Sequence, residues 1–142
     1  MKKKFFTDDD VRKGVLNIFI QMFQDSFKPD LIVGFSRGGL VPGIYLSHIL
    51  GVPFKALNKD ELFQNSKFDY PNVLVVDDIN DTGSTLSDFS SKYNQLFDMV
   101  RYAVVMNNES SSYEVDYSGF SYNKFDDPEW IVFPWEQWWS NV

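Results

Sequence analysis

The segment VLVVDDINDTGSTL, from Val73 to Leu86, runs four apolar residues into two aspartates, then a third, then Thr-Gly-Ser-Thr. Thr82, Gly83, Ser84 and Thr85 bring small side chains and backbone amides to the start of a helix, a device suited to a phosphate monoester. Gly83 permits the tight turn and close backbone approach this requires. Asp77 and Asp78 cannot serve the same anion, because like charges repel. Paired carboxylates instead accept hydrogen bonds from vicinal hydroxyls, which ribose offers. A phosphate device a few residues from a diol device describes a ribose 5-phosphate.

A second loop, Ser36-Arg37-Gly38-Gly39, offers the amides of Gly38 and Gly39 and the forked guanidinium of Arg37. That combination suits pyrophosphate. Two anionic groups held beside aspartates call for Mg2+, which prefers oxygen ligands and keeps several waters.

Both loops need rigid elements behind them. LIVGF (Leu31 to Phe35) and Val73 to Val76 are continuous apolar runs, the pattern of strands buried on both faces, and Met99 to Met106 is a third. VPFKAL is a further short strand. Helices are expected over Asp8 to Phe27, with Thr7 as N-cap and Asp8, Asp9 and Asp10 in its first turn, and over Leu40 to Leu50, with Gly51 as C-terminal cap. A third should span Ser84 to Leu96, starting at a Ser/Thr cap. Strand, loop and helix in alternation predict an α/β fold with a three-layer parallel-sheet core. The carboxyl ends of its strands then bring both loops to one crevice. Residues 107–142, rich in Ser, Tyr, Asp and Trp, break the rhythm and read as a small C-terminal hood within a single domain, 1–142.

Composition narrows the setting. The 142-residue chain is 44% hydrophobic and 23% charged, long enough to bury a core. It has no cysteine, which excludes disulfides and thiolate zinc sites. A net charge of −7 argues against a nucleic-acid partner, and MKKK reads as a solubilising end. The sequence holds neither a membrane-length apolar run nor a signal peptide, so no membrane partner and a cytoplasmic setting are expected.

VLVVDDINDTGSTL resembles the phosphoribosyl-diphosphate (PRPP) motif of type I phosphoribosyltransferases. FSRGGLVPGIYLSHILGVP resembles the pyrophosphate loop and helix of the bacterial xanthine-guanine (6-oxopurine) members, and EWIVFPWE resembles their base-binding segment. The resemblance, from about Pro29 to Trp135, implies a Mg2+-dependent glycosyltransferase of purine salvage. PRPP and a purine (guanine, xanthine or hypoxanthine favoured) would give nucleoside monophosphate and pyrophosphate. It implies that Asp77 and Asp78 bind the ribose hydroxyls, with Asp78 near the metal, and that Asp81, Thr82, Gly83, Ser84 and Thr85 cradle the 5-phosphate. Asp81 would also be catalytic, managing the proton at purine N7. Ser36, Arg37, Gly38 and Gly39 would hold pyrophosphate, with a cis peptide in the loop. Trp130 would stack on the base and the Ile131 backbone would contact its edge. The loop from Asn58 to Pro71 would close as a flap, with Lys59 or Lys67 reaching the pyrophosphate. A homo-oligomer, dimer or tetramer, is implied, and the aromatic tail WEQWWS suits packing or subunit contact.

One departure bears on specificity. The family's 6-oxopurine enzymes carry a base-contacting lysine after the strand corresponding to Met99–Met106, where this chain has Asn107 and Asn108. An asparagine amide both donates and accepts, so Asn108 is compatible with an oxo or an amino group. The alternative is a non-catalytic regulator of the same fold that senses PRPP or a nucleotide. A receiver-type signalling domain would need its aspartate pair near the chain start and a lysine after the last strand, and the sequence meets neither condition.

Overall fold

A computed structural model of the chain describes residues 1–141, without the side chains of Trp138 and Asn141. The elements run β1 (Lys2–Phe5), α1 (Asp8–Gln24), β2 (Leu31–Phe35), α2 (Leu40–Leu50), β3 (Phe54–Leu57), β4 (Asn72–Asn80), α3 (Ser84–Tyr93), β5 (Met99–Asn108), β6 (Tyr117–Tyr122) and β7 (Glu129–Val132). Five of the strands form one parallel sheet in the order β3-β2-β4-β5-β6.

Successive residues of the central strands point to opposite faces, so each apolar run feeds two cores. Ile32, Leu74, Val76, Ala103 and Val105 pack under α1 and α2. Leu31, Val33, Val73, Val75 and Val104 pack against α3 through Leu86, Phe89 and Tyr93. The result is the expected three-layer α/β core. No helix among the described residues is long and apolar enough to cross a membrane.

Local chemistry sets the helix ends. Thr7 and Asp10 close a reciprocal capping box, with the Asp10 amide donating to Thr7 Oγ1 at 3.1 Å and the Thr7 amide to Asp10 Oδ2 at 2.8 Å. α1 stops at Gln24, short of Phe27, and Ser26 follows with φ 55°. Its inner face is Val11, Val15, Ile18 and Met22, while Leu16, Ile20 and Phe23 stay exposed. α2 ends at Gly51, whose left-handed φ of 67° lets its N–H reach the Ser47 carbonyl.

The strands, too, differ from the sequence reading. β4 continues past Val76 to Asn80, because β5 supplies ladder partners along the polar stretch: Asp77 pairs with Val104 and Asn80 with Asn107. β6, expected in the hood, is the fifth strand of the core sheet, pairing Ala103 with Tyr117. The hood's strand is β7, and its partner is the amino-terminal MKKK segment. That segment is the parallel strand β1, in register Lys3 to Trp130, and not a free basic end.

Candidate active site

β2 and β4 are adjacent and parallel, so their carboxyl ends deliver both predicted loops to one edge. β2 leads into loop 36–39, where the Ser36–Arg37 peptide bond is cis. A Cβ on Gly38 would land on the Asp78 carboxylate, and one on Gly39 on the Val76 carbonyl oxygen. The loop backbone therefore lies against the aspartates with no room for a side chain. Arg37 projects into solvent and lines a cavity of about 660 Å³ that it shares with Asp78 and Trp135. The Gly39 amide, expected to face an anion, is committed instead to the Phe35 carbonyl at 2.8 Å, a bond that closes the turn between β2 and α2.

From β4, the run Asp77 to Leu86 lines a cleft of about 200 Å³, with Thr82, Gly83, Ser84 and Thr85 at its α3 end. The helix cap is Gly83 with φ 94°, and no side chain caps it, contrary to the expected Ser/Thr cap. The left-handed turn leaves Ser84 and Thr85 in the first helical turn, with Thr82 Oγ1 accepting from the Ser84 amide at 3.3 Å. The β5–β6 connection clamps this loop from outside. Ser112 donates to the Thr82 carbonyl from its amide at 3.0 Å and its hydroxyl at 2.8 Å, and a Cβ on Gly83 would strike the Tyr113 backbone.

Asp77 and Asp78 stand side by side at the head of the cleft. Burial pushes the Asp77 carboxyl well above its usual range, the charge of Asp78 adds to this, and Lys59 pulls weakly the other way. Burial raises Asp78 too, while its hydrogen bond with Asp77 and the Ile79 amide at 2.8 Å lower it. Two desolvated carboxylates make an oxygen donor set that gains from a divalent cation. No cluster of three or more Asp, Glu, His or Cys forms a cage among the described residues. Such a cation, held by Asp78, would complete its shell with substrate oxygens and water.

Beyond Asp78 opens a cavity of about 350 Å³, walled by Ile79, Asp81, Lys124, Trp130, Ile131 and Phe133. Trp130 and Ile131, the residues expected to meet the base, both line this cavity. Trp130 is 48% exposed, and Lys3 Nζ lies 4.9 Å from its ring centroid. Asp81 faces this cavity, and both of its oxygens accept from Lys124 Nζ, at 2.9 and 3.0 Å.

Asn108 is displaced from the role expected of it. It is buried and absent from the cavity wall. Its amide donates to the Asp81 carbonyl at 2.8 Å, and its oxygen accepts the Lys124 amide at 2.9 Å and the Ser110 hydroxyl at 2.8 Å. An asparagine at a strand end satisfies orphan backbone groups first, and here both sides of the amide are spent on them.

The expected flap is shorter than Asn58 to Pro71. Phe63 is buried against Phe89, Tyr93 and Phe97, and its amide donates to the Tyr93 hydroxyl at 3.0 Å. Only 58–62 lies exposed between the buried anchors Leu57 and Phe63. Lys59 belongs to that stretch. The Lys67 amide donates to the Leu96 carbonyl just before β5, at the amino end of the strands and away from the aspartates toward the carboxyl end of β4. In the tail, Trp135 stacks on Phe133 at 5.0 Å and Trp139 is exposed, while the Trp138 side chain lies outside the described residues.

Lys124 and β1 were not found by sequence reasoning. No motif surrounds Lys124 in YNKFDDP. The available signal was that it is the one cation after Arg101, in a stretch otherwise rich in carboxylates.

The phosphoribosyl transferase domain model matches residues 8–138 of the chain. The solved structure of purine phosphoribosyltransferase from Pyrococcus horikoshii is 30% identical, with a TM-score of 0.80 covering 96% of this chain and 95% of that one. Xanthine-guanine-hypoxanthine phosphoribosyltransferase of Helicobacter pylori shares the fold at 24% identity and a TM-score of 0.78, over 98% of this chain and 97% of that one. A Neisseria gonorrhoeae protein solved with bound ppGpp shares it at 21% identity and a TM-score of 0.74, over 95% of this chain and 90% of that one. Orotate phosphoribosyltransferase of Oceanobacillus iheyensis is 34% identical over 83 residues. That match takes in 53% of this chain and 41% of the relative, so the chain spans about two-fifths of that relative's length.

Proposed function

The chain belongs to the phosphoribosyl transferase family, and from that premise we propose that it transfers 5-phosphoribosyl from PRPP to a purine base. One observation carries the reading. Asp78 and Asp81 line both the phosphate cleft and the cavity walled by Trp130, so the two carboxylates border the place of each substrate. The likeness to the Pyrococcus purine enzyme supports a purine over orotate.

In this reading Thr82, Gly83, Ser84 and Thr85 hold the 5-phosphate, and Asp77 and Asp78 accept the ribose hydroxyls. Arg37 and the amides around Gly38 hold pyrophosphate. Held by Asp78, Mg2+ would neutralise charge on the diphosphate. The purine lies against Trp130, its N9 facing ribose C1′. As the C1′–O bond breaks, its electron pair leaves with pyrophosphate and the N9–C1′ bond forms. The base then sheds its N7 proton to the Asp81 carboxylate, acting as general base. Residues 58–62 cover the cationic centre and exclude water, bringing Lys59 toward the diphosphate.

The test is pyrophosphate release with magnesium and PRPP, offering guanine, xanthine, hypoxanthine, adenine and orotate one at a time. Release with a purine supports the reading, and release with orotate alone overturns it. A non-catalytic nucleotide sensor is the second reading. It is favoured by the Lys124 ion pair that engages both Asp81 oxygens and by the ppGpp-bound Neisseria neighbour. PRPP or nucleotide binding by calorimetry, with no pyrophosphate released from any base, would decide for it.

A further inference from the structure

We infer that Asn80 is a positioning residue for the phosphate loop. It fastens the β5–β6 connection, residues 109–116, and that connection sets the direction in which the Thr82–Gly83 peptide faces the cleft. The inference rests on the phosphoribosyl-transfer reading only for the ligand that fills the cleft. Asn80 ends β4 and is 2% exposed, on a strand whose buried residues are otherwise Val73, Leu74, Val75 and Val76. The carbonyl side of its amide, Oδ1, is buried with no hydrogen-bond partner among the described residues. A buried acceptor left unpaired destabilises the fold, and an apolar side chain here would avoid that. The reason for an amide at this position must therefore lie on its other side.

On that side, Nδ2 lies 3.0 Å from Asn107 Oδ1 across the ladder, 2.7 Å from Ser111 Oγ and 2.8 Å from the Tyr113 carbonyl oxygen. Ser111 also donates its hydroxyl to the Tyr113 carbonyl at 2.8 Å. Amide, hydroxyl and carbonyl thus close a triangle that ties the connection to the end of β4. Ser112, between the two tied residues, is thereby held over the phosphate loop. Its N–H and its hydroxyl both donate to the Thr82 carbonyl, at 3.0 and 2.8 Å. In a trans peptide the N–H points opposite to the carbonyl. Drawing the Thr82 carbonyl toward the connection therefore turns the Gly83 N–H away from it, toward the cleft, which Asp77 to Leu86 line and the connection does not. An N–H aimed from the turn before a helix is suited to a phosphate oxygen. Its direction is set before the ligand arrives, so binding need not order it.

The experiment measures binding of PRPP and of inorganic pyrophosphate, each with magnesium, by calorimetry to the full chain and to Asn80→Leu, Ser111→Ala and the double variant. Thermal melts without ligand accompany it. Asn80→Leu is close in size and removes the fastening and the unpaired acceptor together. The expected result is PRPP binding weakened roughly 5- to 30-fold, with pyrophosphate binding unchanged and Tm close to that of the unaltered chain. Ser111→Ala, at a half-buried position outside the sheet, should act in the same direction and serves if Asn80→Leu does not fold. The double variant should bind PRPP no more weakly than Asn80→Leu, since both changes break one link. PRPP affinity unchanged in both single variants overturns the inference. Loss of PRPP and pyrophosphate affinity in equal proportion, the mark of a general loosening, overturns it too, as does an unaltered chain that binds no PRPP. Failure of the function reading is seen separately, as absent pyrophosphate release with every base while PRPP affinity still depends on Asn80.

Discussion

The two ends of the site are built on different principles. The phosphate end is made of backbone and short loops fixed to β2 and β4, two adjacent strands inside the core sheet. The base end is assembled from β1, β7 and the connection after β6, and its wall strand β7 has a single ladder partner. Rigid strand ends can place an amide or carboxylate against a substrate common to a whole family. The two-stranded hood is anchored in the core through Ile131 and Phe133, but its half-exposed Trp130 can change without disturbing that anchor, which makes this face the natural seat of specificity.

Asp81 lies on the seam between the two, and its loss should be the largest single effect. Asp81→Asn removes the proton acceptor but keeps the loop backbone, so turnover should fall by roughly two to four decades while PRPP affinity stays near its original value. Steady-state kinetics with PRPP binding by calorimetry checks this; unchanged turnover would remove Asp81 from catalysis. Gly83→Ala probes the phosphate end alone. At φ 94°, with a Cβ driven against the Tyr113 backbone, it should cost about 1–3 kcal/mol of stability and raise the KM for PRPP more than that for the base. Equal changes in both KM values would mean that the clamp serves both ends.

The aspartate pair allows a test with the opposite sign. Burial raises the Asp77 carboxyl well above its usual range, so the folded state holds that proton to higher pH than the unfolded chain does. Its contribution is fully present below the unfolded pKa and is lost as pH rises from there through the raised folded value. Asp77→Asn should therefore raise Tm at neutral pH and flatten the pH dependence of stability in that window, while weakening PRPP binding. A lower Tm at neutral pH would mean that Asp77 carries no cost of burial. Thermal melts from acid to neutral pH, without ligand, measure it.

This division also explains what the sequence revealed. The phosphate end was legible because it is contiguous: Asp77 to Thr85 and Ser36 to Gly39 each hold a strand end, a turn and a helix start within one window. The alternation that gave β2, α2, β3, β4 and α3 is equally local. The base end was not legible, because its contacts join segments remote in sequence. Lys3 meets Trp130, and Lys124 meets Asp81, only once the sheet is assembled. Asn108 misled for the same reason. Its type fitted a base contact, but the orphan backbone groups of Asp81 and Lys124 claimed its amide first. Charge alone gave the wrong reading of MKKK, since pairing by β1 with β7 uses backbone groups that composition does not report.

The smallest expected effect tests whether that strand does more than fill an edge. Lys3 stands opposite Trp130 in the ladder, its ammonium 4.9 Å from the ring centroid. A cation on one face of an indole holds the ring in place and is worth about 0.5–1 kcal/mol at an exposed site. Lys3→Met keeps the aliphatic stem and the backbone pairing but removes the charge. It should raise the KM for the purine roughly two- to fivefold, leaving kcat and the KM for PRPP unchanged, and Lys3→Arg should restore it. A drop in kcat would mean that the change had reached Asp81 across the cavity. An unchanged KM would mean that Trp130 is positioned by its strand alone, with β1 supplying only the ladder.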